Sequence, residues 1–177
     1  DDEFVDRYPE DDIDWSAGIA ADRKEIEKAF NYARSKDPSI QQYLKLPNQS
    51  IWSAMSVQEK GLYIVNAERL ARGLKPYEGI SGEVMNVAQA YADYILNHTL
   101  VIGHFHNETT PSQRLDNNST ILNGRDQHIG TESVAAVFYK TDEAALVKAI
   151  YLWIYKDKGW FESFTPEQLA GMSLTPW

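Results

Sequence analysis

Residues 56–77 read SVQEKGLYIVNAERLARGLKPY. The opening, Ser56-Val57-Gln58-Glu59, is a capping-box pattern. A Ser hydroxyl can accept from the third helical amide, and the Glu three positions on can accept from the Ser amide. Leu62, Val65, Leu70 and Ala71 carry the apolar side of the long helix that this cap starts. Gly73 supplies its stop, since the residue just past a helix end often needs a left-handed backbone, and Pro76 follows. Both ends of one long helix are therefore written into the chain.

Reading outward, residues 1–19 are acidic and aromatic without periodicity, a tail or surface strap. Its acidic patch lacks the Gly and terminal Glu of a calcium loop. Residues 20–36 form a helix with Ile26, Phe30 and Ala33 at helical spacing, ended by Asp37-Pro38. Ile40 to Leu46 reads as a short second helix or a turn, stopped at Pro47. Downstream, a helix spans about 82–97 with Val84, Val87, Ala88, Tyr91 and Ile95 on one face. Residues 98–131 are loop-like, rich in Asn, Thr, Gly and His, and a connection of that length is usually functional. Residues 132–139 read as a short strand or a helical turn. Thr141 or Asp142 caps a helix through Leu146, Ala149, Ile150 and Trp153, which Gly159 breaks, and Thr165-Pro166 starts one more short helix. Strand signals are scarce, so the chain as given should be mostly helical.

The 177 residues are 43% hydrophobic, enough to bury a core. A net charge of −9 without a Lys/Arg cluster argues against nucleic acid, whose phosphates need a basic face. There is no cysteine, which removes disulfides, Cys-rich zinc sites and thiol nucleophiles. No apolar run approaches the ~20 residues of a membrane span. The start at Asp1 fits an exported product that has lost its leader.

The helix of residues 56–77 contains Asn66, Arg69, Gly73-Leu74 and Pro76 at a spacing that resembles the opening helix of the CAP superfamily. That superfamily groups sperm-coating and cysteine-rich secretory proteins, venom allergens, plant pathogenesis-related proteins and many bacterial exported proteins. Further words follow in the same order. They are Val87-Ala88-Gln89 with Tyr91-Ala92-Asp93-Tyr94, Gly103-His104, then Pro111 and Arg114-Leu115, Glu132-Ser133-Val134-Ala135 with Ser133 in place of Asn, and Tyr151-Leu152-Trp153-Ile154-Tyr155. The resemblance covers about residues 51–177 and implies an α+β fold, an α-β-α sandwich represented here mainly by its helical part. It divides the chain into an acidic tail with helical extension, 1–50, and a CAP-like domain, 51–177, without its C-terminal strands. A second Gly-His word would be expected beyond residue 177, or on a second polypeptide completing the fold. Lys156 stands where some members carry an acidic residue.

All four histidines, His98, His104, His106 and His128, lie near Glu132 in sequence. The resemblance implies a cleft in which His104 and Glu132 face a further histidine. Two imidazoles and a carboxylate can hold a divalent metal such as zinc, with His104 as one ligand, or perform acid–base work. His104 bonded to Glu132 merely to hold the long loop is an equally good reading. His106 shares a face with His104 if the segment is extended. His128 reads as an exposed loop histidine, and His98 as a helix-end histidine facing the dipole. Arg114 either pins the loop through an acidic group or meets an anionic ligand. Tyr91 and Trp153 belong to the core. No nucleophile is marked as activated. The leading reading is a secreted, extracellular or cell-surface binding module for a small amphipathic ligand, a lipid or a partner protein, using His104, Glu132, His106 and Arg114. A metal-dependent hydrolase or peptidase, with His104 and Glu132 as catalytic candidates, and an adhesive surface domain are the alternatives.

Overall fold

The structure is a computed structural model that describes residues 23–35, 37–38, 40–99, 103–123, 132–135 and 141–155. Among them the chain is mostly helical. The helices are α1 (Arg23–Ser35), α2 (Gln49–Ala54), α3 (Val57–Ala71), α4 (Gly82–Tyr94), α5 (Pro111–Asp116), α6 (Ser119–Leu122) and α7 (Asp142–Tyr155). The described residues contain no strand; an isolated antiparallel bridge joins His106 and Thr109. The chain divides into two compact units, residues 1–77 with 137–177, and residues 78–136. The acidic leader, the helix at Thr165, His128 and Lys156 lie outside the described residues. No described helix is long and apolar enough to cross a membrane.

In the first unit, α1 buries Ile26, Ala29, Phe30 and Ala33, a helical stripe of one face. That stripe joins one cluster with Trp52, Ile64, Val147, Ile150 and Tyr151. The Phe30 ring meets Tyr151 edge-on at 5.3 Å between centroids. Full burial of each such large side chain contributes roughly 1.5–3 kcal/mol. α3 packs closely on α7 at Gly61, where an added Cβ would lie 2.8 Å from the Leu146 Cδ2 atom. Thr141 caps α7, its hydroxyl accepting from the Ala144 amide at 3.2 Å.

α3 begins and ends as its sequence indicates. The Ser56 hydroxyl accepts from the Glu59 amide at 3.2 Å, and Glu59 accepts from the Ser56 amide at 2.7 Å. At the far end Gly73 has φ +71°, Gly73 N–H donates to Leu70 O and Leu74 N–H to Arg69 O, a Schellman stop. The chain then returns along the helix. Asn66 pairs with both backbone groups of Tyr77, at 2.7 and 3.0 Å. The Arg69 Nε donates to Lys75 O at 2.8 Å, and its guanidinium lies 4.1 Å from the Tyr77 ring centroid. Asn66, Arg69, Gly73 and Tyr77 thus all build one helix ending.

A carboxylate is buried where α1, α3 and α7 meet. Glu68 is 2% exposed. Its Oε1 accepts from Arg34 Nε at 2.9 Å, and its Oε2 accepts from Arg72 Nη1 and the Tyr155 hydroxyl, both at 2.6 Å. Burial pushes the Tyr155 phenol well above its ordinary range, and the adjacent carboxylate pushes it further. Burial works against the Arg72 charge, but its bonds to Glu68 and Tyr155 outweigh this and raise its value. A second ion pair on α3 joins Lys60 to Glu143 at 2.6 Å, with the Trp52 indole N–H donating to the same carboxylate at 3.2 Å.

The segment 40–46 is not the short helix or turn expected. It runs without regular structure, with Leu44 and Leu46 buried and Lys45 exposed, the alternation of an extended chain. Side chains of α1 take the place of a neighbouring strand. The Asn31 amide serves both the N–H and the C=O of Leu44, and Glu27 accepts from the Leu46 amide at 2.7 Å. Pro47 favours this extended approach. Asn48 then caps α2, a helix the sequence reading passed over, by accepting from the Ile51 amide at 3.1 Å.

In the second unit, Ser81 caps α4, which passes into a π-helical turn, Ile95–Thr99. Of the apolar face expected on this helix, Tyr91 and Ile95 are buried, whereas Val84 is 41% exposed and Ala88 is exposed. The stretch 98–131 is less loop-like than its composition suggests. Thr110 and Gln113 form a capping box around Pro111 at the first position of α5, and Asn118 caps α6. Residues 132–135 form neither strand nor helix; 136–139 lie outside the described residues.

Two measurements test this architecture. Glu68→Ala leaves the buried Arg34 without its counter-charge and is expected to cost about 3–5 kcal/mol in chemical denaturation. Hydrogen bonds from the Ser56 backbone N–H and then its hydroxyl hold the Glu59 carboxyl below the usual carboxylate range. Its stabilisation is therefore complete above the unfolded value, about pH 4.3, and is lost as pH falls through the lower folded value. Glu59→Gln should flatten that acid-side slope in denaturation curves collected across pH.

Candidate functional site

In the second unit Arg114 and His104 converge on Glu132. His104 and Glu132, 28 residues apart, meet with His104 Nδ1 at 3.1 Å from Glu132 Oε1. Arg114 Nη2 lies 2.8 Å from each carboxylate oxygen. The same nitrogen donates to the His104 carbonyl at 3.2 Å, and Nη1 donates to the Thr109 carbonyl at 2.9 Å. The guanidinium carbon sits 3.5 Å from the Tyr91 ring centroid, a cation–π contact. The Tyr91 hydroxyl donates to the Gly103 carbonyl at 2.8 Å. Burial raises the Tyr91 phenol above its ordinary value, the nearby Arg114 charge opposing part of that shift.

The elements that position these groups have local causes. Arg114 stands on α5, started by Thr110 and Pro111, and Tyr91 stands on α4. His104 precedes a tight turn in which Asn107 and Glu108 have φ +51° and +57°. Two successive left-handed residues give the turn that closes two-residue hairpins, ordinarily filled by Asn and Gly. Here Glu takes the second place, with a backbone cost that Thr109 and Arg114 offset by bonding the turn carbonyls. Gly103 is small for a reason: a Cβ there would lie 3.1 Å from the His106 ring.

The chemistry of the arrangement follows from its donors. A carboxylate facing a guanidinium is an acceptor, so Nδ1 of His104 carries the proton in their bond. In the neutral ring Nε2 is then the acceptor. The His104 side chain is 58% exposed, whereas Glu132 is 19% and Arg114 10% exposed. Glu132 and Arg114 are therefore scaffold, and the imidazole is the group offered to solvent; Phe105, the next residue in the chain, is 62% exposed.

The other histidines are placed differently. His106 packs its ring near Tyr91, with 6.3 Å between centroids, and its carbonyl accepts from the Thr109 amide. His98 stacks on Tyr94 at 4.4 Å and its Nδ1 donates to the Tyr94 carbonyl at 3.0 Å. A protein zinc site takes three or four ligands. Among the described residues no group of three or more His, Asp or Glu could hold a metal. Both Glu132 oxygens already face the Arg114 cation, which opposes a second cation there. The described donor set therefore does not fit zinc. Arg114 pins the loop, one of its two expected roles. Tyr91, read as core, is buried but also forms the platform for Arg114; nothing in its sequence surroundings marks that second role.

No protein-family model matches the chain, and neither the curated proteins nor the solved structures searched give a match.

Arg114→Lys retains the charge but loses the planar group that reaches Tyr91, Thr109 and Glu132 together. It is expected to cost about 1–3 kcal/mol. A double-mutant cycle with Glu132→Gln, read by denaturation, should show coupling of the two side chains.

Proposed function

We propose that the chain is an exported domain of CAP type that works as a binding module, taking a small amphipathic ligand or lipid at His104. The observation that carries this reading is the exposed imidazole fixed by a carboxylate that is itself fixed by Arg114. The ordered sequence words around His104 and Glu132 support the family assignment, including its α-β-α sandwich and its extracellular setting. An amphipathic molecule suits the surface offered. Its polar end would donate to His104 Nε2, and its apolar part would cover Phe105. Catalysis is less well supported, because the Glu132 oxygens are engaged by Arg114 and are poorly placed to take a proton from water.

Isothermal titration and imidazole nitrogen NMR with monodecanoylglycerol and a lysophosphatidylcholine, whose hydroxyls can donate to Nε2, below their micelle concentrations, test the proposal. Saturable binding that shifts the His104 Nε2 signal, weakened about tenfold or more by His104→Ala and unaffected by His98→Ala, is the expected result. No saturable binding, or binding indifferent to His104, would sink it. Tight zinc binding lost in His104→Ala would instead favour the metal-dependent hydrolase.

A further inference from the structure

Three groups near His104 could recognise the polar head of a ligand: the Arg114 guanidinium, the Glu132 carboxylate and the imidazole itself. The first two are spent on each other and on the backbone. Arg114 Nη2 contacts both Glu132 oxygens and donates to the His104 carbonyl, and Nη1 donates to the carbonyl and the hydroxyl of Thr109. The Arg114 side chain is 10% exposed. A carboxylate or phosphate head therefore finds no free guanidinium fork, the usual means of gripping an anion. Residues 78–136, the second unit, contain no lysine and one other arginine, Arg125. Against these two arginines stand seven carboxylates, and one of them, Glu108, is exposed in the turn that follows His104.

What faces solvent is one acceptor. Glu132 holds the ring at Nδ1, and Nε2 has no hydrogen-bond partner among the described residues. An unprotonated ring nitrogen accepts from a proton-bearing group and repels the lone pairs of an oxyanion. The charge of the unit acts in the same direction, since a negative field concentrates cations and repels anions, most strongly at low salt. The local hydrogen bond and the long-range field thus ask for one kind of head. A hydroxyl supplies the donor without the charge, and a quaternary ammonium the charge without the donor. A protonated primary amine supplies both.

We infer that the ligand class of the His104 site is a cationic amphiphile with a primary ammonium head, one N–H of which donates to His104 Nε2. The inference rests on the binding proposal and narrows it, from any amphipathic molecule to one whose head donates and carries positive charge. Specificity here is as much refusal as attraction: an anionic head meets a lone pair, a spent arginine and an excess of carboxylates.

Three ten-carbon probes with different heads provide the test. Decylammonium only donates, decanesulfonate only accepts, and monodecanoylglycerol does both. Isothermal titration and imidazole nitrogen NMR on the whole chain, below the micelle concentrations, are run at pH 8, where imidazoles are mostly uncharged. Decylammonium is expected to bind about tenfold or more tighter than decanesulfonate and to move the His104 Nε2 signal. His104→Leu keeps the acidic surroundings and removes the acceptor. It should weaken decylammonium about tenfold and leave decanesulfonate little changed, with helical circular dichroism as in the parent chain. Equal binding of the two charged heads, a preference undiminished in His104→Leu, or an Nε2 signal already that of a protonated nitrogen at pH 8 would each overturn the inference. If monodecanoylglycerol binds in those cases, the binding proposal stands and the choice of head alone falls. If none of the three probes binds, both fall.

Discussion

The first unit depends on one buried negative charge. Three donors, from α1, α7 and the C-cap of α3, converge on Glu68, and each removes part of the cost of taking a carboxylate out of water. An apolar contact tolerates small sliding of one helix over another. A carboxylate that must meet Arg34, Arg72 and Tyr155 at hydrogen-bond distance does not. The packing of Ile26, Phe30, Ile64, Val147 and Tyr151 supplies the bulk of the favourable burial, while Glu68 fixes which rotation and height of the helices satisfy it.

Glu132 plays a related part in the second unit with a different outcome. It too is matched to an arginine, and the arginine in turn lies on an aromatic ring. Around Glu68 the donors are spent inwardly, and the Tyr155 phenol is itself buried. Around Glu132 one donor, His104, keeps most of its ring in water. The same carboxylate–arginine unit thus closes a core in one place and presents an orientable imidazole in the other. Which of these it does is set by the exposure of the third partner.

The features legible in the sequence were those whose cause is local. Ser56 with Glu59, and Gly73, mark the ends of α3 because capping needs only residues within a few positions. Thr110, Pro111 and Gln113 carry an equally local signal, yet it was masked by the Asn- and His-rich composition around it. The extended path of residues 40–46 reads as a short helix or turn because its evidence is an alternation of only two leucines, and its hydrogen-bond partners include Glu27, Asn31 and Arg34 on α1 and Tyr63 on α3, 8 to 19 residues away. The meeting of His104 with Glu132 was anticipated through the order of the sequence words, since no periodicity spans 28 residues. Tyr91 gave no advance sign of its contact with Arg114. Part of the resemblance also has a plain physical origin: Asn66, Arg69, Gly73 and Tyr77 share one task, reversing the chain after a helix.

That reversal has a cost in evolvability. Surface hairpins are ordinarily where a chain accepts extra residues most easily. Here Asn66 and Arg69 act as a ruler laid along the helix, reading off where Lys75 and Tyr77 must fall. One residue added between them would put every mark of the ruler out of step at once. A solvent-facing bend is thereby made as intolerant of length change as a packed interior.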